Sequence, residues 1–249
     1  KEVASDLPDK IESVIWCQMG SQQRAVYDEY KDFYRLSLLK KIEDLGIQKT
    51  GVYILEGLLR LRQICDDTRL LKNSEIKPMV GVKIEELLRE ILENSGDHKM
   101  LVFSQFTEML ELIRQELDKK QINFHYLDGG TSAAKRKDLI QSFQENFDVK
   151  VFLISLKAGG VGINLTAADY VYIVDPWWNP AAELQAIDRV HRIGQKNTIF
   201  AYKMICKDTV EEKILKLQEK KLDIASELIS DDGSFFKKLT KEDIEFLFS

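Results

Sequence analysis

Along the first 80 residues, apolar positions recur every three or four places. In "SQQRAVYDEYKDFYRLSLLKKIEDLG" they run from Val26 and Tyr30 through Leu38, Leu39 and Ile42, the spacing of one helix face, and Gly46 is a stop signal. "VYILEGLLRLRQIC" reads as a second helix, and "NSEIKPMVG", around Pro78 and Gly81, as a linker. From about residue 82 the rhythm changes. Helical "KIEELLREILENSG", "FTEMLELIRQELDKK" and "SAAKRKDLIQSFQEN" alternate with the short apolar runs "KMLVFS", "NFHYLD" and "VKVFLIS", and "YVYIVD" and "TIFAYKMI" follow. Strands of this length separated by helices predict right-handed βαβ units, and so an α/β fold with a mostly parallel sheet and helices on both faces. From Thr209 the pattern is helical and charged through "TVEEKILKLQEKKLDIASELI". "SDDGS" then reads as a loop, and "TKEDIEFLFS" as a Thr-capped closing segment.

One helix in this series carries unusual polar residues. Asn179 and Pro180 make a good N-cap and first helical position, and Gly194 is a stop, so "QAIDRVHRIGQ" is expected to be helical up to that glycine. At about 100° per residue, Gln185, Arg189 and Arg192 then fall within roughly 60° of one another, with Leu184, Ala186, Ile187, Val190 and Ile193 on the other side. On spacing alone such a row is read equally well as a solvated face.

Composition narrows the class. With 249 residues, 44% hydrophobic and 31% charged, the chain is globular rather than disordered or fibrous. A net charge of −5 argues against a surface that attracts nucleic acid everywhere, although a local basic groove would not show in the total. The three cysteines (Cys17, Cys65, Cys206) and three histidines lack metal-ligand spacing, so neither a metal site nor a disulfide framework is expected. No apolar run has the length of a membrane span and no signal-peptide pattern opens the chain, so no membrane partner is expected. A first residue Lys1 rather than Met suggests a piece of a longer protein.

Candidate chemistry gathers where strands end, which is where parallel sheets bind ligands. After Ser155 comes "LKAGGVGINLTAAD", whose Gly159, Gly160 and Gly162 permit close backbone approach to phosphate, or simply tight packing. "LDGGTSAAKRKDLIQSF" places Gly129 and Gly130 before a helix capped by Thr131 or Ser132, an N-terminus suited to phosphate or merely well capped. In "DPWWNP", Trp177 and Trp178 follow another strand end, as packing residues or as a nucleic-acid contact. A GxxxxGK[ST] phosphate loop occurs nowhere, nor does an acidic box to hold Mg²⁺ beside one, so Asp175 reads as structural and the chain alone is not expected to hydrolyse ATP efficiently.

Taken in order, "KMLVFSQFTEML", "LDGGTSAAKRKDLIQSF", "LISLKAGGVGINLTAADYVYIVDPWWNP" and "QAIDRVHRIGQ" resemble the second RecA-like lobe of the Swi/Snf family of DNA-translocating ATPases. The match is strong over roughly 98 to 217 and looser on the flanks. Cys65 is followed by Asp66, Asp67 and Thr68 where the family usually has Asn-His-Pro, and the double Trp and "LQEKK" look more like bacterial members.

The resemblance implies three parts: a helical insertion and linker over 1–81, the RecA-like lobe over 82–206 and a helical brace over 207–249. It further implies ATP and Mg²⁺ held mainly by a first, N-terminal RecA-like lobe, with this lobe's arginine fingers Arg189 and Arg192 reaching the γ-phosphate and Gln185 helping to position them. Gly160, Gly162 and Asn164 match the motif that couples nucleotide to DNA. Ser104, Gln105, Thr131, Arg136, Ser155, Lys157, Trp178 and Asn179 match positions close to the backbone of double-stranded DNA. Such phosphate contacts carry no sequence information, as a travelling motor requires. The implied motor steps along one strand without separating the duplex, with RNA polymerase or another nucleoprotein complex as an object it could work on. A non-catalytic DNA- or protein-binding platform and a true strand-separating helicase are the alternatives. The implied location is the cytoplasm, at the nucleoid, in a bacterium, or the nucleus in a eukaryote.

Overall fold

The computed structural model describes residues 7–158, 164–176, 180–192, 194–220 and 239–249. Six strands are described: β1 (Lys10–Cys17), β2 (Met100–Ser104), β3 (Phe124–Leu127), β4 (Val151–Ser155), β5 (Tyr170–Ile173) and β6 (Ile199–Cys206). The helices are α1 (Ser21–Leu45), α2 (Ile47–Asp66), α3 (Val82–Asn94), α4 (Thr107–Lys119), α5 (Ala133–Glu145), α6 (Pro180–Ile187), α7 (Val210–Lys220) and α8 (Lys241–Leu247). By contacts the chain divides into two compact units, one of residues up to Ile15 with Glu85–Met204, the other of Trp16–Ile84 with Ile205–Ser249. The segments before and after the βα series therefore fold largely together.

In the first unit the sheet has the order β1-β6-β5-β2-β4-β3. Pairings β2–β4, β2–β5, β3–β4 and β5–β6 are parallel, and β1 runs parallel to β6, with Ile199 N donating to Asp9 O at one end and Lys207 N to Cys17 O at the other. The strands β2 and β4, "MLVFS" and "VFLIS", are buried at every position, as continuous apolar runs between two layers should be. One face of the sheet carries Leu101, Phe103, Phe152, Ile154, Val171 and Ile173, packed with Phe143 of α5 and with Ala186 and Ile187 of α6. On the opposite face Tyr172 stacks on Tyr202, ring centroids 5.5 Å apart, and its hydroxyl donates to Glu90 of α3 at 3.2 Å. This is the α/β arrangement with a parallel sheet that the sequence pattern predicts, in the RecA-like form that the resemblance implies. The one described strand it does not predict is β1, inside the stretch read as mostly helical; "KIESVIWC" carries Lys10, Glu12 and Ser13, and among the described strands it pairs with β6 alone, at the sheet edge.

The second unit is helical. Polar side chains of α1 tie distant pieces of chain together: Gln23 Nε2 donates to Ile64 O (2.7 Å) and Cys65 O (3.2 Å), and its Oε1 accepts from Val82 N (3.0 Å). Arg24 donates to the carbonyls of Lys207 and Asp208, while the Tyr27 hydroxyl accepts from Val210 N at 2.6 Å. Burial, with the like-signed influence of Cys65 next, holds the Tyr27 phenol pKa well above its ordinary value, so it remains a neutral hydroxyl. At the end of the chain α8 opens with a capping box between Thr240 and Asp243.

Candidate functional site

Parallel strands bring their carboxyl ends to one edge, and the candidate residues follow from that. Ser104 and Ser155 are register partners at the ends of β2 and β4. The pairing continues one step further, since Leu156 N donates to Ser104 O (2.9 Å) and Val174 N to Phe103 O (3.0 Å). Both serines are buried, at 0% and 2% exposure. The Ser104 hydroxyl closes the following turn, accepting from Phe106 N (3.0 Å) and donating to Phe106 O (3.2 Å). Asp175, wholly buried just beyond β5, accepts from the Gln105 backbone N–H at 2.9 Å. That contact holds the Gln105 backbone at the edge, and the side-chain Nε2 of Gln105 is buried with no hydrogen-bond partner.

The loop after β3 is built by Asp128. Its Oδ1 accepts from Gly130 N (2.9 Å) and the Thr131 hydroxyl (3.1 Å), and the Thr131 oxygen accepts in turn from Asp128 N (3.1 Å). The cap of α5 is Ser132, whose oxygen accepts from Lys135 N at 3.4 Å, so of the two candidates Thr131 is left to shape the loop. Arg136 lies in the first turns of α5, partly buried, with its Nε lacking a partner. Lys157 and Asn164 are exposed, and Asn164 O accepts from Gln144 at 3.0 Å. Gly160, Gly162, Trp178 and Asn179 lie outside the described residues, as does Gly159.

The arginine segment departs from the expected helix. Among the described residues of this segment Pro180–Ile187 is α-helical, and Arg189 and Arg192 sit in the turns beyond it. The hydrogen bonds show the change: Asp188 N still donates four residues back, to Leu184 O at 2.8 Å, whereas Arg189 N and Val190 N reach back only three. The reason is tertiary, because Arg189 O is engaged by Leu165 N (3.3 Å) and Val190 is fully buried. Gly194, with φ +103°, takes the chain out of this turn. The interior of α6 is also different from the expected one. Leu184 is 44% exposed, and Glu183 is buried instead, paired with Lys203 of β6 at 2.7 Å.

The expected row of three on one helix face is therefore replaced by a graded set. Gln185 is exposed on α6. Arg192 is exposed, its Nε donating to Asp188 O at 3.0 Å. Arg189 is only 3% exposed, and among the described residues its buried Nε and Nη1 have no hydrogen-bond partner. Burial first, then the like charges of Arg192 and Arg136, pull the Arg189 pKa below the ordinary guanidinium value. Arg136 and Arg189, 53 places apart, thus belong to one electropositive set, a grouping that no spacing in the sequence signals. Planar guanidinium forks of this kind match phosphate oxygens. Chemically, the edge offers N–H donors and positive charge to an anion.

Comparison with known proteins places the same stretch. A model of the helicase conserved C-terminal domain family matches residues 82–194. An uncharacterized ATP-dependent helicase of Mycoplasma pneumoniae is 37% identical over 250 residues, covering 99% of this chain and 23% of that protein. The solved C-terminal domain of a Sulfolobus solfataricus SWI2/SNF2 ATPase superposes with a TM-score of 0.74 at 32% identity, covering 96% of this chain and 98% of that one. The core of the Sulfolobus ATPase solved in complex with double-stranded DNA gives a TM-score of 0.79 at 34% identity, covering 98% of this chain and 51% of that chain. This chain spans about a quarter of the length of the curated helicase it matches, 23%.

Proposed function

This chain belongs to the SWI2/SNF2 family of ATPases, as their helicase-type C-terminal lobe, and on that premise we propose that it supplies the arginine side of a split nucleotide site in a motor that moves along double-stranded DNA. The observation that carries the reading is Arg189: a buried guanidinium with two nitrogens unpartnered, beside the like charges of Arg192 and Arg136. Such a group is unfavourable until an anion arrives, and the terminal phosphate of ATP is an anion of the right geometry. Arg189 and Arg192 would neutralise charge on the phosphoryl group as it transfers, an effect worth roughly 10³ to 10⁵ in rate in other phosphoryl-transfer sites. Gln185 would orient them. Bound ATP with Mg²⁺ supplies the reacting phosphoryl group, and since no phosphate loop occurs in the sequence its main holders belong to the N-terminal lobe of a longer chain.

In this reading residues 82–206 form the lobe, with 1–81 as insertion and 207–249 as brace. Lys157, Gln105, Thr131 and Arg136 contact the DNA backbone, as do Trp178 and Asn179. The buried Ser104 and Ser155 set the ends of the strands from which these groups project. Gly160, Gly162 and Asn164 link nucleotide to DNA. Support comes from the neighbour solved on double-stranded DNA and from relatives named as ATP-dependent helicases.

The test is DNA-stimulated ATP hydrolysis by the longer parent protein, by its Arg192→Ala variant, and by the 249-residue chain alone. The expected result is an active parent, a variant reduced roughly 10³-fold or more, and a silent chain. Near-parent turnover by Arg192→Ala would make Arg192 a solvated arginine and overturn the assignment.

A further inference from the structure

The helical unit contains a cluster with the composition of a soft-metal site. The Sγ atoms of Cys65 and Cys206 and a carboxylate oxygen of Glu211 lie within 4.8 Å of one another, all buried. Two thiols and a carboxylate are zinc-type donors, but the carboxylate is already paired with a cation. Lys83 is fully buried, with Nζ 2.6 Å from Glu211 Oε1 and 2.9 Å from Asp66 Oδ1. The other carboxylate oxygen of Glu211 accepts from Cys206 N at 3.0 Å, and the Thr209 hydroxyl caps the same turn, accepting from Glu211 N and donating to Cys206 O. Burial alone would push the Lys83 ammonium pKa down; the carboxylates of Asp66 and Glu211 outweigh it and hold the value well above the ordinary lysine range.

The three charges come from the end of α2, the first turn of α3 and the first turn of α7. Lys83 lies two residues from one place where the chain passes between the two units, after Ile84, and Glu211 shortly after another, at Ile205. A buried ionic triad adds little net stability compared with apolar side chains of the same volume. It does enforce one arrangement, because a lysine bonded to two carboxylates cannot slide as a packed leucine can.

We propose that Lys83 is a positioning residue, fixing the start of α7 to the end of α2 and the start of α3 so that the motor's power stroke is transmitted. The proposal rests on the motor-lobe reading above, and its test separates the two. The variants are Lys83→Met and an all-apolar Lys83→Met/Asp66→Leu/Glu211→Leu. In the 249-residue chain, thermal unfolding and amide hydrogen exchange of α7 are measured; in the parent protein, kcat and KM for DNA-stimulated ATP hydrolysis. Lys83→Met, which takes the cation away from two buried carboxylates, is expected to melt earlier than the wild type. The apolar triple, which also gives up the Glu211 acceptor of Cys206 N, is expected to melt close to the wild-type midpoint and above Lys83→Met, with α7 amides exchanging about tenfold faster. Its kcat is expected to fall about tenfold or more, with KM for ATP within about twofold. Wild-type α7 protection or wild-type kcat in the triple overturns the proposal. A triple that does not fold also overturns it, since the triad would then be a stability element. If the wild-type parent shows no DNA-stimulated turnover, the motor reading fails, and α7 exchange in the triple still decides whether Lys83 positions the helix.

Discussion

Arg189 combines a burial and a charge that oppose each other in the absence of an anion. Its guanidinium has lost water at two nitrogens, gained no protein acceptor for them, and stands near two other arginines. Arg189→Met keeps the aliphatic packing and removes the unpaired donors. The 249-residue chain carrying it should therefore be more stable by about 1–3 kcal/mol, a rise of roughly 2–4 °C per kcal/mol in the melting midpoint. The parent protein should lose turnover as Arg192→Ala does. A lower midpoint would mean that the arginine is paired in the free protein and that its burial is structural. At this scale the sequence singled out the arginines proposed here for the nucleotide but not how they are held. Gln185, Arg189 and Arg192 share a face only if the helix continues, and a periodic pattern carries no information about where Leu165 N or a buried Val190 will end it. Leu184 failed for a related reason: Lys203 on β6 draws Glu183 inward, a pairing across 20 positions that no local period contains.

Whole elements were more legible than their residues. Strands β2 and β4 are unbroken apolar runs because both faces are covered, and a run of that kind needs no long-range knowledge to be read. At the edge, β1 takes its partner from residues about 190 positions away, so its polar letters outweighed its strand character. The cysteine cluster was invisible for the same reason, with Cys65 and Cys206 separated by 141 positions. Glycines in the helical unit give a sharp test of how that unit is packed. A Cβ on Gly81 would lie 2.2 Å from Asp66 O and 2.9 Å from Asp67 Cα, and the Gly81 N–H donates to Asp67 Oδ2 at 2.7 Å. Gly81→Ala must therefore push the end of α2 away, at a cost of about 3 kcal/mol, the upper end for overpacking. Gly51, within α2, has nothing within 4 Å of its would-be Cβ. Gly51→Ala should raise stability by roughly 0.5–1 kcal/mol through helix propensity alone. Urea unfolding of both variants checks the pair, and equal effects would refute the close approach at Gly81.

At the scale of the whole molecule, a net charge of −5 has to coexist with the DNA binding proposed for the motor. The two are compatible if contacts are few and confined to the carboxyl edge of the sheet, where Lys157 is exposed just past β4 and Gln105 is held by Asp175. Few contacts mean a shallow dependence of affinity on salt, because each phosphate neutralised contributes about 0.9 to the slope of log K against log salt concentration. In the parent protein, Lys157→Ala should lower that slope by about one and weaken binding by a similar factor on duplexes of any sequence, since a phosphate contact positions without specifying. Arg192→Ala, assigned to the nucleotide, should leave the slope unchanged while abolishing turnover. The two variants together divide the edge into a DNA part and a phosphate-transfer part. If Arg192→Ala lowers the slope and Lys157→Ala does not, the assignments are reversed, and the exposed arginine faces DNA rather than ATP.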